Sequence, residues 1–132
     1  MGRLKAVDTN IIARYVVQDD PAQASVAAKL LSGPCYLPDT VLVETAWLLA
    51  SRYGIGRKLL AETLDDILSL PLLQVSDPVR INWAIRRFAA GADFADMMHL
   101  VSSRGAECFV SFETSLAKRA GPDSPIAIEI PD

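Results

Sequence analysis

Cysteine, histidine and positive charge are all scarce in this 132-residue sequence, and each shortage closes off a class of protein. Cys35 and Cys108 stand alone, with no C-x-x-C and no spacing for a disulfide framework. A reduced, cytoplasmic setting is therefore expected. His99 is the single histidine, so an all-nitrogen or nitrogen–sulfur zinc centre has too few ligands. No apolar run approaches the roughly 20 residues that cross a bilayer, and no membrane partner is expected. The opening "MGRLKAVDTN" reaches an acid after a short apolar stretch and does not read as a signal peptide. Met1-Gly2 opens like an acylation site, but Ala6 stands where Ser or Thr is required. Thirteen Lys and Arg against sixteen Asp and Glu give a net charge of −3. That excludes a protein that coats nucleic acid by bulk positive charge. Aromatics make up 7%, and Trp47 and Trp83 fall in amphipathic stretches where they read as core or interface rather than base-stacking platforms.

What is present is an alternation of short apolar runs with helical periodicity, without repeat or linker, which reads as one domain over 1–132. "LKAV" reads as a buried strand ending at Asp8, followed by a helix to about Val17. "QDDPAQASVAAKLLSG" has Asp20 as N-cap, Pro21 in the first turn and Gly33 past the end. "CYL" is a strand, and "PDTVLVETAWLLASRYG" a long helix closed by Gly54. "GRKLLAETLDDILSL" is a helix, "PLLQV" a strand, and "SDPVRINWAIRRFAAG" repeats the Asp-Pro start. "ADFADMMHLVSSRG" is a helix, "CFVSF" a strand, "ETSLAKRAG" a short helix and "IAIEI" a last strand. Such alternation predicts α/β architecture with a mostly parallel sheet covered by helices. Open α/β sheets bind ligands at the carboxyl ends of their strands, so acids at those positions are the first to weigh.

Asp8 ends the first strand, where it either serves a site or simply caps the next helix. Glu44 has Val41, Trp47 and Leu48 as its one-turn neighbours, an apolar face on which a carboxylate needs a partner or a cation; the bland alternatives are a Glu that reaches a rim or one that pairs with Arg52. Asp93 and Asp96 share a helix face, and the bland reading is an N-cap and a first-turn acid. Glu113 follows the strand "CFVS", again at a strand end. Carboxylates converging at one sheet edge would repel each other unless a cation joined them, and all-oxygen ligation selects Mg²⁺ or Mn²⁺. An acidic pI therefore does not exclude a nuclease.

"VDTNII", "VLVETAWLL" and "DFADMMHLVSSRGAECFVSFETSLAKRA", in that order, resemble the PIN-domain ribonucleases, and within them the VapC toxins of bacterial toxin–antitoxin pairs. The likeness covers nearly the whole chain. It implies a three-layer α/β/α sandwich with a roughly five-stranded central sheet. The family's acids fall on Asp8, Glu44 and Asp96, with Asp93 matching a frequent extra acid. The fourth, usually Asp, falls on Glu113, one methylene longer. Thr9 and Asn10 match the polar pair that supports the site. The resemblance implies metal-assisted hydrolysis of RNA by an activated water, leaving a 5′-phosphate and a 3′-hydroxyl. It also implies a homodimer and a VapB-type antitoxin, with operator DNA reached only through that antitoxin.

RNA would need a local basic track, for which Arg14, Arg52, Arg86, Arg87, Lys118 and Arg119 are candidates. A phosphohydrolase using Asp8 as nucleophile would want a second Asp where Asn10 stands. A PIN-like RNA-binding or RNA-processing module, catalytically weak and without a toxin role, is the alternative within the fold. "GIG" at 54–56 follows a helix and reads as its C-cap, not a phosphate loop.

Overall fold

Aspartate, proline and glycine punctuate the chain, and the structure, a computed structural model describing residues 4–132, follows that punctuation closely. The Met1-Gly2 reading lies outside the described residues. Contacts divide the chain into two compact units, Met1–Ser76 and Asp77–Asp132.

The first unit contains β1 (Lys5–Ala6), α1 (Thr9–Val17), α2 (Pro21–Leu31), β2 (Cys35–Tyr36), α3 (Asp39–Ser51), α4 (Arg57–Leu68) and β3 (Leu73–Gln74). Its three strands are parallel in the order β1-β2-β3, with Ala6 opposite Tyr36 and Tyr36 opposite Gln74. Parallel neighbours need a crossover, which the helix pairs α1–α2 and α3–α4 supply. β2 is the centre of this sheet, and Cys35 and Leu37 are each only 1% exposed. Asp20 caps α2 by accepting from the Gln23 N–H at 3.1 Å, ahead of Pro21. Gly54, at φ +65°, ends α3, and the Ile55 N–H reaches back to the Leu49 carbonyl at 3.1 Å. The apolar stripes of these helices are buried: Ile12 on α1, Ala27 and Leu31 on α2, Leu42 and Leu49 on α3, Leu64 and Ile67 on α4.

The second unit holds α5 (Pro78–Ala89), α6 (Phe94–Ser102), β4 (Phe109–Val110), α7 (Leu116–Ala120) and β5 (Ile128–Glu129). β4 and β5 pair in parallel, with Phe109 opposite Ile128. Asp77 caps α5 from the Arg80 N–H at 3.0 Å and also meets the Arg80 and Arg104 guanidinium groups at 3.1 and 3.2 Å. α5 buries Ile81, Ala84, Ile85 and Phe88, and α6 buries Met97, Met98, Leu100 and Val101. Phe88 meets Phe94 edge-to-face, centroids 5.8 Å apart.

All five expected strands are present and every pairing is parallel. Their hydrogen bonding is divided between a three-stranded and a two-stranded sheet, where one five-stranded sheet was expected. Each strand is two residues long, so each ladder has room for only a few bonds. Among the described residues no helix is long and apolar enough to cross a membrane.

Candidate active site

The carboxyl edge of the three-stranded sheet carries the first group of candidates. The ladder runs one residue past β1, where the Val7 N–H bonds the Tyr36 carbonyl at 3.0 Å; Asp8 follows. Asp8 is the N-cap of α1, its Oδ1 accepting from the Thr9 N–H at 2.8 Å. The cap leaves the carboxylate exposed and uses only one of its oxygens. Thr9 is 4% exposed, and its buried Oγ1 has no hydrogen-bond partner among the described residues. A buried hydroxyl left unpaired costs about 1–3 kcal/mol, so this atom marks a place where a water or ligand oxygen is wanted. Asn10 is exposed and lines, with Ile11, Arg14 and Gln23, a cleft of about 410 Å³ along α1 and α2. Arg14 itself is engaged: it donates to Asp19 at 2.9 Å and to Gln23 Oε1 at 2.7 Å.

Glu44 corrects the sequence reading. The face it shares with Val41, Trp47 and Leu48 was expected to be buried, but Glu44 is exposed and Trp47 is 67% exposed. α3 buries the opposite stripe, Leu42, Thr45, Ala46 and Leu49, and Thr45 is accommodated there by donating to the Val41 carbonyl at 2.7 Å. An apolar helix has more than one face that could be turned inward, and residue type alone did not choose between them. The core reading of Trp47 fails for the same reason. Glu44, being exposed, needs no buried partner.

The second unit gathers the other acids. Asp93 is the N-cap of α6 and accepts the Asp96 N–H at 2.9 Å through Oδ2. Asp96 is half-buried in the first turn. Burial first, and then the charge of Asp93, push its pKa above the ordinary carboxylate value; Glu113 adds to the rise, while His99 and Arg119 oppose it. Glu113 is exposed, and its Oε1 accepts from the Ser115 hydroxyl at 2.7 Å and the Ser115 N–H at 3.4 Å. Those bonds hold its pKa below the usual glutamate value. The extra methylene of Glu113 is thus spent in reaching forward to its own turn.

Among the described residues, no group of three or more His, Cys, Asp or Glu side chains stands ready to hold a metal ion. Asp93 and Glu113 each spend an oxygen on a backbone N–H, which turns them toward helix starts. Lys118 and Arg119 lie exposed on α7, and Arg86 is exposed on α5. Arg87 donates to the Arg119 carbonyl at 2.8 Å and lies across Gly121, where a Cβ would come within 3.3 Å of its Cζ.

Sequence reasoning passed over Asp39 and Phe112. Asp39 stands past the end of β2, and its Oδ1 accepts from Ser76, past the end of β3, at 2.7 Å. Its place past a strand end would have marked it as an acid to weigh. Phe112, at 83% exposure, has no such signal in its residue type.

The sequence profile of the PIN domain matches residues 5–122. A search of curated proteins returns no match to the chain. The profile runs through both compact units and takes in Asp8, Glu44, Asp93, Asp96 and Glu113. PIN domains are generally metal-dependent nucleases. On the strength of that match over most of its length, the chain belongs to the PIN domain family.

Proposed function

We propose that this chain is a metal-dependent endoribonuclease whose two units form a single domain, and that it acts as the toxin of a VapBC-type pair. The observation that carries the reading is Asp96: a half-buried carboxylate in reach of the charges of Asp93 and Glu113, with its own pKa raised. Acids placed so that they oppose each other's ionisation are stabilised by a cation. The donor set fits a hard one, being carboxylate oxygen. The unpaired Thr9 Oγ1 beside Asp8 fits a site that orders a water.

Asp8 and Asp96, with Asp93 or Glu113, would hold Mg²⁺ (or Mn²⁺). The bound ion supplies charge neutralisation at the phosphodiester and acidifies a water. Glu44, which is exposed, would complete the site or orient that water. Thr9 and Asn10 order the turn that presents Asp8. Lys118 and Arg119 give phosphate oxygens an exposed pair of cations. The reading further proposes a cytoplasmic homodimer silenced by a VapB-type antitoxin that covers the acidic site, the toxin meeting operator DNA only through it.

The test is induction of wild type and Asp96→Asn in a bacterial host, with growth followed and new 5′-phosphate RNA ends sequenced. Growth arrest with a few discrete ends, absent in the variant, is the expected outcome. Ends without arrest would keep the nuclease and remove the toxin. Mn²⁺ binding that is equal in wild type and Asp8→Asn would refute the metal site, leaving an RNA-binding or RNA-processing module.

A further inference from the structure

The most exposed large apolar side chain given by the structure is Phe112, at 83%. It sits in an eight-residue stretch, Phe112 to Arg119, that also carries exposed Glu113, Lys118 and Arg119. A phenyl ring left in water gains nothing for folding, since apolar area stabilises only when removed from solvent. The backbone under it is nevertheless fixed. The Ser111 N–H bonds the Glu129 carbonyl at 3.0 Å, extending the β4–β5 ladder to the residue before it. The Glu113 N–H donates to Ser111 Oγ at 3.0 Å, and Ser115 closes on the Glu113 carboxylate from the other side. The ring is therefore presented outward from a turn pinned on both flanks.

Resting on the nuclease reading above, we propose that Phe112 is a base-stacking platform. It holds an unpaired nucleobase of single-stranded RNA next to Glu113, while Lys118 and Arg119 take the adjoining phosphates. An aromatic ring beside exposed cations is the combination that tracks single strands: each base offers a face to stack on, and the backbone offers charge to neutralise. Arg119 is close enough to Asp96 and Glu113 to act on both carboxylates electrostatically, which ties the phosphate track to the acids. A duplex cannot use the ring, because its bases are stacked on one another and edge-on to the surface. Binding through this ring therefore requires a base free of its neighbours.

The full chain is titrated, in EDTA so that no cleavage intervenes, into a single-stranded oligoribonucleotide carrying 2-aminopurine. Stacking on wild type should quench the fluorescence. Phe112→Ala should weaken binding by roughly 5- to 150-fold and abolish the quench, the size expected for one stacked base. Phe112→Trp should restore both, and Phe112→Leu, apolar but not aromatic, should behave like alanine. Arg119→Ala should lower the salt slope of log Kd by about 1 while keeping the quench. Equal affinity in wild type and Phe112→Ala would overturn the platform. So would a loss of affinity shared by Leu and Trp, or a change in solution mass with RNA affinity intact, which would make Phe112 a protein contact. Failure of the nuclease reading is seen separately, as cleavage of the same strand in Mn²⁺ that Asp96→Asn does not reduce.

Discussion

The candidate acids of the two units are held in different ways. In Met1–Ser76 both Asp8 and Glu44 are exposed; Asp8 caps a helix and Glu44 lies on an open helix face. In Asp77–Asp132 the acids act on one another, and Asp96 is half-buried with its pKa raised. An exposed carboxylate keeps most of its hydration. A clustered, half-buried one opposes its own ionisation. The second arrangement is the more informative about function: Asp93 and Asp96 serve the start of α6, but acids that oppose each other's ionisation are also a mark of functional sites.

The sharpest way to break this comparison is to neutralise one acid from each unit. In an RNA cleavage assay with Mn²⁺, Asp96→Asn and Asp8→Asn should each lower the rate by about 100-fold or more, the scale of losing one group that stabilises developing charge. Glu44→Gln, if it only orients a water, should cost about tenfold less than either. A Glu44→Gln loss as large as that of Asp96→Asn would make Glu44 an equal member of the site. The stability effect of Asp96→Asn should run the other way. Its raised pKa means that the folded state favours the protonated acid, so in EDTA stability falls as pH rises from the ordinary value through the raised one. At pH 7 the asparagine variant should then melt higher than wild type, a sign that a purely structural acid would reverse.

Core substitutions come next and test whether the units are equally well packed. Leu49 in the first unit and Leu100 in the second are both fully buried, at 0% exposure. Each change to Ala should cost about 2–5 kcal/mol, read from chemical denaturation. A much smaller cost at Leu100 would show that α6 can collapse around the gap.

Most of the fold was legible because its signals are local. Asp20 and Asp77 before Pro, and Gly54 after a helix, act through their own backbone, and all three mark the observed boundaries. Asp8, Asp93 and Asp96 were legible as candidates because strand ends and helix starts are read from the same punctuation. What was not legible depends on which face turns inward. The sequence shows that Val41, Trp47 and Leu48 are apolar, but not that Leu42 and Leu49 would take the core instead. Nor does residue type reveal an outward Phe112, or a Glu113 that spends its length on Ser115. The division of five strands into two sheets depends on pairing between distant segments, which short apolar runs do not encode.

Gly121 sharpens the picture within the second unit. Its φ of +78° is one that side chains rarely adopt, and an added Cβ would meet the Arg87 guanidinium at 3.3 Å. Gly121→Ala should destabilise by about 1–3 kcal/mol, the range for strained backbone. Combining it with Arg87→Ala should recover only the steric part, leaving the cost of the positive φ. Full recovery in the double variant, measured by denaturation, would assign the whole effect to the guanidinium.

The smallest effect expected is at Asp77, and it is the counterpart of Asp96. Asp77 accepts the Arg80 N–H and faces the Arg80 and Arg104 guanidinium groups, and the backbone bond, followed by those charges, holds its pKa below the ordinary value. A depressed pKa means that the folded state favours the ionised acid. Its contribution is complete above the ordinary aspartate value of about 4 and is lost as pH falls toward the lower folded one. Asp77→Asn keeps a capping oxygen but removes the charge, so at pH 7 it should melt slightly lower than wild type, and the gap should close below pH 4. The two aspartates of one unit would then show opposite signs: Asp77→Asn loses stability at neutral pH where Asp96→Asn gains it. Two variants that shift the melting temperature in the same direction would mean that Asp96, like Asp77, is held by its surroundings as a structural acid, and the argument for a cation there would lose its basis.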